Sequence, residues 1–166
     1  MKNFANRERG STLIVTIILV LLLTILGLGG IAVNSTQTRI ATNAADSQIA
    51  FQTAEGALRL VQSGLLTGTY PKQNFLANSG GLYLLQSSNA PLWKTIDWSS
   101  GSDVISGFQG SSNSPAKFFI EQLPSVVPPG TGFKTPQSIS IYRVTARAVG
   151  ASGGSPVILQ ETIRIQ

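Results

Sequence analysis

The stretch R-G-S-T-L-I-V-T-I-I-L-V-L-L-L-T-I-L-G-L-G-G-I-A-V, residues 9–33, decides what the rest of the chain has to be. From Leu13 to Val33 there are 21 residues without a charge, and their only polar side chains are the hydroxyls of Thr16 and Thr24. As a helix this run spans about 31 Å, against roughly 30 Å of bilayer hydrocarbon. A secretory leader has an apolar region of about 7–15 residues, so this one is too long to be only that. Lys2, Arg7 and Arg9 precede the run, and the next bases after it are Arg39 and Arg59. That asymmetry predicts a single-pass membrane segment with its N-terminus in the cytoplasm and the bulk of the chain outside. A cut behind it, after Gly30-Ile31-Ala32, would discard the helix. A cut in front, at Gly10-Ser11, would keep it as a working part.

The sequence beyond the run favours keeping it. Ile40, Ala44, Phe51, Ala54, Leu58, Val61 and Leu65 recur at helical spacing, while Asp46, Gln48, Gln52, Glu55, Arg59 and Gln62 occupy other faces. This is the pattern of an amphipathic helix with one packing stripe. Glu55 and Arg59 stand four apart in the favourable order, and Gly64 is the expected stop. No proline interrupts Ser11 to Gly64, so one helix of 54 residues is expected, apolar all round at first and one-sided later. Gly27, Gly29 and Gly30 each cost roughly 1 kcal/mol relative to alanine in an isolated helix. They are either simply tolerated or serve close helix approach and local melting in a membrane or bundle.

Composition narrows the chemistry. The chain has neither cysteine nor histidine, which removes thiolate nucleophiles, histidine bases and the usual zinc sites. Its formal charge of +5 includes +2 from the residues before Gly10, and the other bases are scattered, so nucleic-acid binding is not expected. Asp97 and Asp103, in D-W-S-S-G-S-D, suggest a calcium loop, but the spacing departs from the EF-hand and suits a serine-rich turn. Asn34-Ser35-Thr36 matches the glycosylation triplet but lies beside the membrane segment. No serine triad, phosphate loop or carboxylate pair emerges, so no enzyme, cofactor or metal is expected.

Residues 67–115 are rich in Gly, Ser, Asn and Pro and remain unplaced, with Trp93 and Trp98 expected to cover a sheet. K-F-F-I-E-Q-L (117–123), S-I-S-I-Y-R-V-T-A-R-A-V (138–149) and P-V-I-L-Q-E-T-I-R-I (156–165) read as strands, with a proline-rich loop at 125–136. In the second, Tyr142, Val144, Ala146 and Ala148 alternate with Ile141, Arg143, Thr145 and Arg147; in the third, Val157, Leu159, Ile163 and Ile165 share a face. G-A-S-G-G-S joins these two as a hairpin. Laying a small antiparallel sheet on the amphipathic half of the helix buries both apolar faces, an α+β architecture.

R-E-R-G-S-T-L-I-V at 7–15, joined to the unbroken helix, resembles the class III signal of type IV pilins. N-A-A-D-S-Q-I-A-F-Q-T-A-E-G-A-L-R at 43–59 is similar to the helix motif of PilX-type minor pilins, and 142–150 with 157–160 resemble that group's closing strands. The resemblance implies a leader at 1–10, a transmembrane and filament-core helix at 11–33, and a periplasmic pilin domain at 34–166 that includes the amphipathic helix 34–64. It implies that a prepilin peptidase cuts between Gly10 and Ser11 and that Ser11 is N-methylated. The subunit then waits in the inner membrane and joins an extracellular pilus through the assembly platform. A minor pilin that helps to start the filament and sits near its tip is implied, beside other minor pilins, the major pilin and a PilY-type adhesin. Such fibres serve twitching motility and adhesion. Most pilins carry glutamate at the fifth residue after the cut; here Val15 stands there, which suits a subunit that need not pair with a neighbour's terminal amine. A minor pseudopilin of type II secretion and a plain membrane-anchored periplasmic binding protein are the alternatives.

Overall fold

The computed structural model describes residues 8–85, 90–110, 113–126, 138–154 and 156–165. Most of the leader and most of the expected proline-rich loop lie outside them. One helix, α1 (Glu8–Thr67), runs for 60 residues. It ends one turn later than expected. Gly68 takes a left-handed φ of 76°, and the Thr69 N–H reaches back to the Gly64 carbonyl at 2.8 Å, a Schellman closure. Gly64 stays helical, and its missing side chain admits Tyr70: a Cβ there would lie 2.6 Å from the ring's Cε2.

The chain divides by its contacts into Met1–Asn43 and Ala44–Gln166. In the first unit every described side chain from residue 11 onward is exposed. In the second, residues 44–67 of α1 pack on a five-stranded sheet. A 3-10 helix η1 (Lys72–Ala77) follows α1, then β1 (Leu82–Leu84), a four-residue helix α2 (Leu92–Thr95), β2 (Ile105–Gln109), β3 (Pro115–Val126), β4 (Ile139–Val149) and β5 (Pro156–Ile165). The strand order is β1-β3-β4-β5, with β2 also on β3. The hairpin between β4 and β5 forms as expected, with Val149 opposite Pro156.

The sheet is mixed rather than purely antiparallel. β1 runs parallel to β3, with Leu82 opposite Ile120, while the other pairings are antiparallel. A parallel neighbour needs a crossover, and α2 and β2 lie between the two strands in the chain. A three-residue strand is too short for alternation to reveal it.

Tyr142, Val144, Ala146 and Ala148 face the helix together with Ala116, Phe118 and Ile120. Alanines on both sides let the helix approach closely, and Phe75 from η1 closes the far end against Tyr142, ring centres 5.5 Å apart. Phe75 and Phe118 are almost wholly buried, worth about 1.5–3 kcal/mol each. On the opposite face Phe119 is fully buried beneath Trp98 (5.5 Å) and Tyr83 (6.2 Å), so Trp98 covers the sheet as expected.

The expected helix stripe is only half inside. Ala54, Leu58, Val61 and Leu65 are buried, whereas Ile40 and Phe51 are 64% and 47% exposed and Ala44 is exposed as well. The buried arc also takes in Asp46, Ala50, Thr53 and Ala57, and so lies about 60° round the helix from the expected line. The cause is the close approach of helix and sheet, which selects alanine and threonine. A reading weighted toward large side chains follows Ile40 and Phe51 instead.

Candidate functional site

The features of the described residues that bear on function are surfaces that make and hold contacts. The first is the apolar half of α1. From Leu13 to Val33 the large apolar residues are 54–71% exposed on every face, Val15 among them at 57%. The two hydroxyls in this run are tied to the helix itself: Thr16 donates to the Leu13 carbonyl at 2.9 Å, and Thr24 reaches the carbonyls of Val20 and Leu21 at 2.9 and 2.8 Å. Such back-bonding leaves no polar group turned outward, as hydrocarbon demands. Gly27, Gly29 and Gly30 have no neighbour within 4 Å where a side chain would stand, so they offer flat helix surface. Gly10 and Ser11, the expected processing positions, both lie within α1, and Ser11 is exposed.

The second feature fastens α1 to the sheet. Asp46, only 8% exposed, accepts hydrogen bonds from the Ser152 N–H at 2.9 Å and the Ser152 hydroxyl at 2.6 Å. Ser152 lies in the β4–β5 turn. Gly150 lies there too, and a side chain on it would collide with the Asp46 carboxyl. The Ser152 hydroxyl, then its N–H, hold the Asp46 pKa below the ordinary 3.8. The helical pattern puts Asp46 off the expected stripe; the structure buries it instead, because its partner lies 106 residues away in sequence. Deeper along the helix, Phe108 of β2 lies against Gly56, where a Cβ would come within 2.5 Å of the ring's Cζ. Thr53 packs against Gly110, and its buried Oγ1 has no hydrogen-bond partner among the described residues.

The third feature lies on the other face of the sheet. Glu121, its side chain 5% exposed, receives Arg143 in a two-pronged ion pair at 2.8 and 3.0 Å. The hydrogen bonds to Glu121 raise the Arg143 pKa further. The pair borders a cavity of about 390 Å³ beside Tyr83, Leu84 and Leu92. Nothing in the sequence alone singled it out, because partners on adjacent strands lie 22 residues apart.

The remaining candidates are used locally. Asp97 accepts from the Ser99 hydroxyl (2.6 Å) and N–H (2.8 Å), which lower its pKa, and Asp103 accepts from Ser102 at 3.2 Å. Among the described residues no three carboxylates gather to hold a metal. Glu55 and Arg59 pair at 2.6 Å on the exposed helix face, as expected.

Two family models match the chain. One, described as the C-terminal region of the type IV pilus assembly protein PilX, covers residues 38–165; the other, described as PilX N-terminal, covers residues 9–59. No curated protein and no solved structure matches it.

Proposed function

Because the chain belongs to the PilX family of type IV pilus assembly proteins, we propose that this minor pilin helps to initiate the pilus and stays at or near its tip, in company with other minor pilins and a PilY-type adhesin. The observation that carries the reading is the apolar helix with no covered face: each large side chain from Leu13 to Val33 is more than half exposed. Water cannot be the solvent of such a surface. Burying one of these side chains is worth about 1.5–3 kcal/mol, so the helix seeks lipid first and sister helices later. Ile40, Ala44 and Phe51 prolong that apolar line past the hydrocarbon length, where a plain anchor would have no use for it. This supports a filament subunit over a tethered binding protein, and the family supports a pilus over a secretion pseudopilus.

In this reading the prepilin peptidase removes residues 1–10, Ser11 becomes the methylated N-terminus, and α1 spans the inner membrane with the sheet domain in the periplasm. Mass spectrometry of the mature chain tests the processing: a methylated Ser11 is expected, and an intact Met1 or a start at Val33 would defeat it. The assembly role is tested by deleting the gene and counting surface pili with retraction active and blocked. Pili lost in the first case and recovered in the second are expected of an initiation factor.

A further inference from the structure

The outer face of the sheet carries a cleft that neither the helix interface nor the membrane segment uses. Trp93 of α2, Thr145 of β4, and Ile158 and Gln160 of β5 line a cavity of about 270 Å³. Trp93 and Ile158 are 39% and 41% exposed, although each is large and apolar. The Gln160 amide donates to the Thr145 hydroxyl at 2.9 Å and so is fixed across the floor. Arg147 sits directly opposite Ile158 across the β4–β5 pairing.

Charge around this cleft is one-sided. The Lys94 ammonium lies 5.1 Å from the Trp93 ring centre, and the Arg147 guanidinium lies 5.9 Å from that of Trp98. Lys117 is spent on the Trp98 carbonyl at 2.8 Å, and Arg143 on Glu121. The acids nearby are likewise engaged, Asp97 and Asp103 by serines of their own turn. Glu161 pairs with Val144, a residue of the helix-facing side. Lys94 and Arg147 therefore have no carboxylate partner among the described residues, next to an exposed aromatic and an exposed isoleucine.

We propose that the Trp93–Ile158 cleft docks an extended segment of another protein in which acidic and apolar side chains alternate. The apolar side chains would enter between Trp93 and Ile158, and the carboxylates would meet Lys94 and Arg147. Aromatic anchors in a desolvated pocket, ringed by complementary charge, are the usual carriers of protein–protein affinity and selectivity. The inference stands on the outer sheet face alone and does not depend on where in a pilus the subunit sits.

The test uses the full chain in detergent and a fluorescein-labelled octapeptide alternating aspartate with phenylalanine, followed by anisotropy. Saturable binding is expected, weakened by salt because exposed charges are screened over about 10 Å. The lysine-for-aspartate peptide should not bind. Trp93→Ala, Ile158→Ser and Arg147→Glu should each weaken binding roughly tenfold, with unchanged melting showing that the fold survives. Lys72→Glu, in η1 on the helix side, should leave binding unchanged. Equal binding of both peptides, no binding of either, indifference to all three cleft variants, or displacement by a neutral oligosaccharide would each overturn the proposal.

Discussion

The Asp46 carboxylate and Ser152 are joined by two hydrogen bonds, at 2.6 and 2.9 Å, across 106 residues of sequence. This contact fixes the β4–β5 turn on α1, close to where the helix enters the sheet domain. The Asp46 pKa is lowered, chiefly by the Ser152 hydroxyl. A carboxylate whose pKa falls on folding stabilises the fold above its ordinary value of 3.8, and that contribution is lost as pH falls through the folded value. Asp46→Asn should therefore melt below the parent chain at neutral pH, with the gap closing below about pH 4. Asp97 titrates in the same direction, but it is common to both chains and cancels in the difference. A gap that stays constant down to acid pH would show that charge plays no part in the contact.

Gly150→Ala attacks the same joint from the other side. Its Cβ would occupy the space of the Asp46 carboxyl, so either the turn or the carboxylate must move. Overpacking of this kind costs about 1–3 kcal/mol. Chemical denaturation of the full chain in detergent should show that loss, and Gly150→Ala should cost less when made on Asp46→Ala, because the obstruction is gone.

Thr53 presents the opposite case. Its Oγ1 is buried and has no partner among the described residues, and leaving a hydroxyl in that state costs about 1–3 kcal/mol. Thr53→Val keeps the branched shape and removes the polar atom. Stability should rise by about 1 kcal/mol, measured by denaturant midpoint at constant slope. A fall would mean that the hydroxyl has a partner in solution.

Glu121 and Arg143 stand side by side on β3 and β4, and Glu121 is the more deeply buried of the two. Removing one member strands the other. Arg143→Ala, which leaves the buried Glu121 carboxylate alone, should cost roughly 3–5 kcal/mol, whereas the apolar pair Glu121→Met with Arg143→Met should come within about 1–2 kcal/mol of the parent. Comparable losses in the single and the paired variant would show that packing, not charge, dominates there.

Long elements are readable from the sequence and short ones are not. Twenty-one uncharged residues and an uninterrupted helical repeat carry their meaning locally, and so do the alternating strands β4 and β5 with the hairpin between them. β1, η1 and α2 have three, six and four residues. Segments so short carry no period, and their conformation is set by what they meet, as Phe75 meets Tyr142. The buried helix face departs from the large-residue stripe for a related reason. Ala50 and Ala57 are chosen by a sheet that lies close, and that distance is a tertiary fact absent from the sequence of the helix. The Asp46–Ser152 and Glu121–Arg143 contacts join residues far apart in the chain and become visible only when the fold brings them together.

Val15 bears on where the subunit works. It is the fifth residue after the proposed cut, apolar and 57% exposed on the membrane half of α1. An unpaired carboxylate in hydrocarbon costs about 2.5–3.5 kcal/mol at the centre of a span and less toward its end, where position 15 stands. A subunit that enters a growing filament behind others would recover that cost from a neighbour's terminal amine; one that starts the filament has no earlier subunit to supply it. Valine at position 15 therefore suits the first place in line. Val15→Glu should move the chain from the fibre end into the shaft, or lower the number of pili, while Val15→Leu should do neither. Immunogold labelling of sheared pili and a count of surface fibres read both effects. Unchanged placement and number in Val15→Glu would mean that the valine carries no information about position, and the priming role would then have to rest on the deletion phenotype alone.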